Sequence, residues 1–196
     1  MILWRLLCFG DNPISTEGFK RKLSAILSAD VKGYSRLISE DEDLTIQTLT
    51  GHREMITTLI EQYRGRVVDS PGDSLLAEFS SVTHAVNCAV EIQREFAERN
   101  AEHPEDRKME YRIGVNVGDM IKEGDRIYGD GVNIGTRPDA LAEPVGICIY
   151  GLFYHQVKNR LKLEYEYLGE QSVKNIQRNQ YRSIGSYHLQ VQLPTR

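Results

Sequence analysis

"VVDSPGDSLLAEF", residues 67–79, is the stretch of the sequence that says most about the fold. Two apolar runs flank a Pro-Gly pair, which is typical of a β-hairpin, and we predict its strands near Arg66–Ser70 and Leu75–Phe79. Two aspartates, Asp69 and Asp73, bracket the Pro-Gly pair four residues apart. Such a turn needs one carboxylate or none, because a single Asp can bond its own backbone. The second carboxylate therefore indicates a role beyond the turn.

Segments with strand and helix patterns flank this hairpin. A buried strand, Arg21–Asp30, comes first, and Gly33 permits a tight turn into a helical segment that Gly65 ends. The apolar residues with helix-like spacing in that segment are Leu44, Leu49, Ile56, Leu59 and Ile60. A second helix, Val82–Asn100, follows the hairpin, and residues 109–129 predict another strand pair. The order β-α-β-β-α-β predicts an α+β fold with a ferredoxin-like βαββαβ core, a mainly antiparallel sheet and helices on one face.

The C-terminal part of the chain extends this core with further short elements. We predict a helix after Gly131, a strand over residues 146–151 and a helix over Leu152–Arg160. A final strand pair is expected around Glu164–Gly169 and Tyr181–Val191. The chain of 196 residues is thus expected to form a single domain.

Composition narrows the class of protein. With 40% hydrophobic and 27% charged residues and a net charge of -4, the chain is globular, and binding to nucleic acid is not expected. Three scattered cysteines without a CxxC pair fit a reducing cytoplasm. The apolar stretch 1–10 is too short for a membrane span, so we expect no integral span. We assign residues 1–20 to an N-terminal lead that packs on the body, with a weak membrane-surface or partner anchor as the alternative, and 21–196 to the domain.

Asp30 and Asp73 are the first candidates for chemistry. Asp30 ends the first strand, which in this topology lies beside the hairpin, so the two carboxylates can converge at one edge of the sheet. Converging carboxylates form a site for a hard cation such as Mg²⁺ or Mn²⁺, with phosphates and water as the other ligands. The alternative is that each aspartate only caps a helix or a turn.

The stretch YGDGVNIGTR, residues 128–137, holds a second pair of polar side chains. Asn133 and Arg137 are four residues apart, so on a helix they share one face. An amide and a guanidinium side by side suit a sugar oxygen and a phosphate. A solvated helix surface is the alternative. His84 and Cys88 also lie four apart, but they lack two further ligands, so we expect a structural role for them.

Five motifs, taken together and in this order, resemble the class III nucleotidyl cyclase catalytic domain, the family of adenylate and guanylate cyclases. They are SADVKGYSRL, SPGDSLLAEF, RIGVNVGD, IYGDGVNIGTR and LGEQSVKNI, and the resemblance covers roughly residues 21–189. It implies that residues 21–196 are a catalytic domain. The reaction would convert a nucleoside triphosphate to a 3′,5′-cyclic nucleotide and pyrophosphate with two divalent metal ions, Mg²⁺ or Mn²⁺.

The resemblance also implies a role for each matching residue. The metal ligands would be Asp30, Asp73 and the backbone carbonyl of Val31. Amides of the KGYS turn would cradle the triphosphate: Lys32, Gly33, Tyr34 and Ser35. Asn133 would hold the ribose, Arg137 would stabilise the transition state and Lys174 would bind the terminal phosphates. Because relatives draw the metal aspartates from one subunit and the Asn, Arg and Lys from the other, a homodimer with active sites at the interface is expected.

The two base-reading positions depart from the pattern of adenylate cyclases. Those enzymes typically carry Lys and then Asp or Thr, whereas this chain has Asp69 and Arg126. An acceptor facing adenine N1 would be mismatched, while guanine and uracil offer an N–H beside a carbonyl. The longer arginine favours the smaller base, so we expect UTP. Compact bacterial relatives include pyrimidine cyclases of antiphage defence, which make cyclic UMP or CMP. The alternative is a structural ion pair of Asp69 with Arg126 or Arg66, and ATP or GTP as substrate.

Two other functions stay open. A catalytically silent domain that binds nucleotide or a partner is one, since Gly135 and Pro138 are poor helix residues that could misdirect Arg137. A metal-dependent phosphohydrolase or polymerase-like enzyme on the same core is the other. It fits the two carboxylates but not the pair of Asn133 and Arg137.

Overall fold

The structure, a computed structural model, describes residues 20–123, 126–128, 145–150, 153–161, 164–172 and 183–190. The strands are β1 Lys20–Val31, β2 Gly65–Asp69, β3 Ser74–Phe79, β4 Tyr111–Glu123, β5 Arg126–Tyr128, β6 Ile147–Tyr150, β7 Glu164–Ser172 and β8 Ser183–Gln190. The helices are α1 Tyr34–Glu40, α2 Glu42–Gln62, α3 Val82–Asn100 and α4 Tyr154–Lys158. The predicted N-terminal lead, apart from Lys20, and the predicted helix after Gly131 lie outside the described residues.

The described strands form one eight-stranded sheet in the order β2-β3-β1-β4-β6-β8-β7, with β5 paired to β4. Six of the strand pairs are antiparallel, and β4 pairs with β6 in parallel. The first four strands, in the order β2-β3-β1-β4, are the ferredoxin-like core that the element order predicts. The predicted α+β fold with a mainly antiparallel sheet is confirmed.

The main hydrophobic core lies between the sheet and the helices. Successive side chains of a strand point to opposite faces, so alternate residues of β1 enter this core: Ala25, Leu27, Ala29 and Val31. All four described helices contribute to it, for example through Leu37, Ile56, Phe96 and Val157. Burial of each large side chain stabilises the fold by about 1.5–3 kcal/mol.

The opposite face of the sheet carries Asp30, one of the two aspartates that the sequence singles out. A smaller cluster of Ile26, Leu76 and Met120 lies there, and no described helix belongs to it. Asp30 is an even number of residues from Ile26, so it lies on this second face. The β-strand period thus directs a carboxylate away from the core at the end of β1.

The helical pattern of residues 40–65 is found as α2, and the short helix α1 precedes it after the turn at Gly33. Asp41 separates α1 from α2 and caps α2, since its carboxylate accepts a hydrogen bond from the Leu44 amide at 3.1 Å. Leu44 has the predicted helix-like spacing and lies in α2, but at 41% exposure it does not belong to the buried residues of that helix. The helix ends at Gln62, and Gly65 already belongs to β2.

Gly65 is needed for packing rather than for stopping the helix. The positive φ after the helix is taken by Arg64, at 60°. A Cβ on Gly65 would run into the ring of Phe79, its partner residue across β2 and β3. Among the described helices, none is long and apolar enough to cross a membrane.

Candidate active site

The site begins with Asp30, which strand pairing places between two polar neighbours. Its partners in the register are Ser74 on β3 and Arg112 on β4. Arg112 Nη2 donates to Asp30 Oδ2 at 2.6 Å, and Ser74 Oγ donates to Asp30 Oδ1 at 3.2 Å. The Asp30 and Arg112 side chains are 21% and 22% exposed, so the charge-assisted bond is only partly screened by water. These contacts hold the Asp30 carboxylate in one orientation.

Asp73 adjoins this carboxylate. It is the residue before Ser74, which pairs with Asp30 in the register of β1 and β3. Burial raises the pKa of Asp73, and the charge of Asp30 raises it further, while its own backbone amide and Arg112 act in the opposite direction. The structure therefore brings together the two aspartates that the sequence singles out, at a cost in like-charge repulsion.

A pair of carboxylates in this state fits a hard divalent cation. Mg²⁺ is usually bound through one or two carboxylates plus substrate phosphates, rather than by a full cage of protein ligands. Within the described ranges there is no group of three or more His, Cys, Asp or Glu that could hold a metal. Val31 has its side chain buried in the core, so only its backbone oxygen could join Asp30 and Asp73 as a ligand.

The turn after β1 supplies backbone amides. Gly33 has a φ of 67° and precedes α1, a conformation that favours glycine. The Lys32 amide, however, donates to the Glu110 carbonyl at 2.9 Å, and Lys32 Nζ contacts the Glu110 carboxylate at 3.1 Å. The prediction that the Lys32 amide binds phosphate is therefore corrected, because its hydrogen is already used. Gly33, Tyr34 and Ser35 remain the candidates in this turn.

Asp69 ends β2 on the exposed side of the hairpin. Its Oδ1 accepts a hydrogen bond from the Ser70 amide at 2.9 Å. Arg66 is bound to Glu78 instead, with 2.7 Å between Arg66 Nε and Glu78 Oε2, so the alternative ion pair between Asp69 and Arg66 is not formed. Arg126 opens β5, which approaches β2 to within 8 Å between Cα atoms. The side chain of Arg126 lies outside the described residues.

Three further candidates are not described, and one important residue was missed. Asn133, Arg137 and Lys174 lie outside the described residues. Arg112 lies within the RIGVNVGD motif, but the sequence pattern indicates no role for it. The signal that could have found it is the pairing of β1 with β4, which sets Arg112 opposite Asp30. A half-buried guanidinium next to two carboxylates adds a fixed positive charge to the site.

Comparisons with known proteins identify the family to which this fold belongs. Residues 20–190 match the family model described as the adenylate and guanylate cyclase catalytic domain. A crystal structure of an adenylate/guanylate cyclase/hydrolase from Silicibacter pomeroyi is 36% identical, with a TM-score of 0.78 over 90% of this chain and 99% of that chain. The adenylyl cyclase CyaB from P. aeruginosa shares the fold, at 18% identity and a TM-score of 0.73 over 90% of this chain and 96% of its own.

A longer relative is also similar. A protein of Rhizobium meliloti (strain 1021) named "Putative adenylate cyclase 3" is 40% identical over 84% of this chain, which spans 28% of that protein's length. The fold and the paired aspartates define a nucleotidyl cyclase domain. The chain belongs to the adenylate and guanylate cyclase catalytic domain family.

Proposed function

We propose that this domain converts UTP to cyclic UMP and pyrophosphate, with Asp30 and Asp73 as ligands of two divalent metal ions. The observation that carries the cyclase chemistry is the placement of these two aspartates beside each other at the edge of the sheet: Ser74, the residue after Asp73, pairs with Asp30 in the register and donates a hydrogen bond to its carboxylate. When bound, Mg²⁺ or Mn²⁺ would lower the pKa of the ribose 3′-hydroxyl and neutralise the phosphates. We propose two ions per site, with either Mg²⁺ or Mn²⁺ as the metal.

The chain's own residues would position the nucleotide and balance its charge. Arg112 lies beside the carboxylates, where a triphosphate could draw its guanidinium away from Asp30. Asn133 would orient the ribose and Arg137 would stabilise charge on the α-phosphate, while Lys174 would bind the terminal phosphates. We place these three on the second subunit of a homodimer in the cytoplasm. A role in antiphage defence stays a prediction from the resemblance.

The preference for UTP depends on Asp69. Its exposed carboxylate, oriented by the Ser70 amide, accepts hydrogen bonds and cannot donate them. Uracil presents N3–H beside O4, which matches an acceptor at Asp69 and a donor at Arg126. Adenine presents the reverse pattern at N1 and the N6 amine. A mismatched, desolvated pair of acceptors costs about 1–3 kcal/mol, or about 5- to 150-fold in selectivity.

Adenylate cyclase activity is the second candidate. It is favoured by the 40% identity to the Rhizobium meliloti protein, whose name describes an adenylate cyclase. In that case ATP would be read by groups other than Asp69 and Arg126. A guanylate cyclase would share the pattern of uracil but would need a wider pocket.

One incubation tests both candidates. The purified protein is supplied with Mn²⁺ and equal amounts of ATP, GTP, CTP and UTP, and cyclic products are identified by mass spectrometry. Cyclic UMP as the main product would support the proposal, while cyclic AMP would leave the chemistry intact and refute the role of Asp69. If no cyclic product forms, the result would favour the catalytically silent domain that binds nucleotide or a partner.

A pair of variants separates catalysis from base reading. Asp73→Ala should abolish turnover while the protein stays folded. Asp69→Lys combined with Arg126→Asp should shift the product ratio from cyclic UMP towards cyclic AMP by at least tenfold. An unchanged ratio in the double variant would show that these two positions do not read the base.

A further inference from the structure

The turn between β2 and β3, residues 70–73, accepts hydrogen bonds from an arginine side chain of α2. Arg53 lies on α2, and its Nη2 donates to the carbonyl oxygens of Ser70, at 3.4 Å, and of Gly72. These two carbonyls belong to the short stretch that separates Asp69 from Asp73. One guanidinium therefore reaches the backbone between the two aspartates, from a helix that is packed into the core.

The other hydrogen bonds of the turn are local. The Ser74 amide donates to the Pro71 carbonyl at 2.9 Å, and Ser70 Oγ donates to the Ser74 carbonyl at 3.3 Å. Gly72 supplies the positive φ, at 56°. Bonds of this kind give the turn its shape, but they do not fix its position relative to the body of the domain. The bonds from Arg53 do, because α2 contributes Ile56 and Ile60 to the core, three and seven residues after Arg53.

Arg53 also belongs to the electrostatic surroundings of the carboxylates. The Tyr111 side chain is fully buried and stacks on Phe96. Burial raises the pKa of Tyr111; the charge of Arg53 lowers it, and the charges of Asp73 and Asp30 raise it. The charges of Arg53, Asp73 and Asp30 therefore all act on the Tyr111 hydroxyl.

We propose that Arg53 is a positioning residue of the active site, which holds the turn so that Asp73 faces Asp30 and Asp69 faces the base. The inference rests on the proposed function and adds a residue on α2 that would act through the backbone of the turn, without binding the metal or the nucleotide itself. It explains how Asp73, a proposed metal ligand, and Asp69, which is proposed to read the base, can both lie at one turn. Loss of Arg53 should change metal affinity and base preference together, whereas a general loss of stability would change neither in the folded fraction.

The test uses three arginine variants of the full chain, with Asp73→Asn as the reference for loss of the metal site. Arg53→Gln removes the charge and most of the reach, Arg53→Lys keeps the charge but not the fork, and Arg94→Gln removes an exposed arginine of α3 as a matched control. Mn²⁺ affinity is measured without nucleotide by electron paramagnetic resonance. Outer residues that orient metal ligands typically change affinity 10–100-fold, so we expect Arg53→Gln to weaken Mn²⁺ binding by about tenfold.

The other two variants have different expected Mn²⁺ affinities. Arg53→Lys should lie between the wild type and Arg53→Gln, and Arg94→Gln should match the wild type. In the assay with four nucleotides, Arg53→Gln should also move the product ratio towards equal use of the bases. Circular dichroism at the assay temperature checks that each variant is folded; if Arg53→Gln is not, the comparison of Arg53→Lys with wild type decides.

The formation of a cyclic product tests the proposed function, and the Mn²⁺ affinity of the Arg53 variants tests the positioning role of Arg53. If the wild type makes no cyclic nucleotide, the proposed function is wrong, but a Mn²⁺ affinity that depends on both Asp73 and Arg53 would still support the positioning role. If Asp73→Asn abolishes Mn²⁺ binding while folded Arg53 variants bind as the wild type does, the site stands and the role of Arg53 is refuted. An unchanged product ratio in those variants would refute its effect on Asp69.

Discussion

Replacement of Asp73 by Asn gives the sharpest test of the carboxylate pair. Burial and the charge of Asp30 raise the pKa of Asp73, so the folded protein favours its protonated form more than the unfolded chain does. The stabilising contribution of protonated Asp73 is present below its unfolded pKa and is lost as the pH rises through its folded pKa. At pH 7.5 and without metal, Asp73→Asn should therefore leave the melting temperature unchanged or raise it.

The effect of metal should have the opposite sign. A ligand present at 100 times its Kd stabilises the folded state by about 2.7 kcal/mol. For a domain of this size, about 1 kcal/mol shifts the melting temperature by roughly 2–4 °C, so the wild type should gain about 5–11 °C. Asp73→Asn should lose most of this gain, because the neutral amide oxygen is a weak ligand beside one remaining carboxylate.

The assay is thermal unfolding with and without Mn²⁺ at one protein concentration. Asp69→Asn is the matched control, since Asp69 lies on the same hairpin but is exposed and orients towards the Ser70 amide. It should keep the metal-dependent shift. An equal shift in Asp73→Asn and the wild type, or its loss in Asp69→Asn instead, would refute the assignment of the metal site.

Two further predictions concern the core. His52 is buried, and burial, helped by the charges of Arg99 and His103, lowers its pKa to about 4. Its neutral form is favoured in the fold, so stability should fall by about 3 kcal/mol as the pH drops from about 6.5 to 4. Urea titrations of His52→Leu should show a weaker pH dependence over that range, and an unchanged one would contradict the reasoning. Gly65→Ala should destabilise the fold by about 1–3 kcal/mol through contact with the Phe79 ring. The same titrations should show partial recovery when Phe79→Leu is added, and a neutral Gly65→Ala would contradict the packing argument.

Most elements could be predicted because each has a local signal. The helix Val82–Asn100 is found with the predicted bounds, since its apolar stripe and the breaks on both sides are close in sequence. The hairpin was placed to within a residue or so from its Pro-Gly turn. The purpose of Gly65 could not be predicted in this way, because the ring that excludes a Cβ belongs to another strand.

The residues of the site also fall into those that the sequence predicts and those that only the tertiary structure reveals. The sequence by itself determined the order of the elements, the motif positions of Asp30 and Asp73, and the acceptor at Asp69. Only the tertiary structure decided that Arg112 holds Asp30, that the Lys32 amide is already used, and that Arg53 reaches the turn. The physical reason is that a strand pattern reveals which face a residue occupies but not its neighbour across the sheet. That neighbour depends on register, which joins Asp30 to a residue 82 positions away.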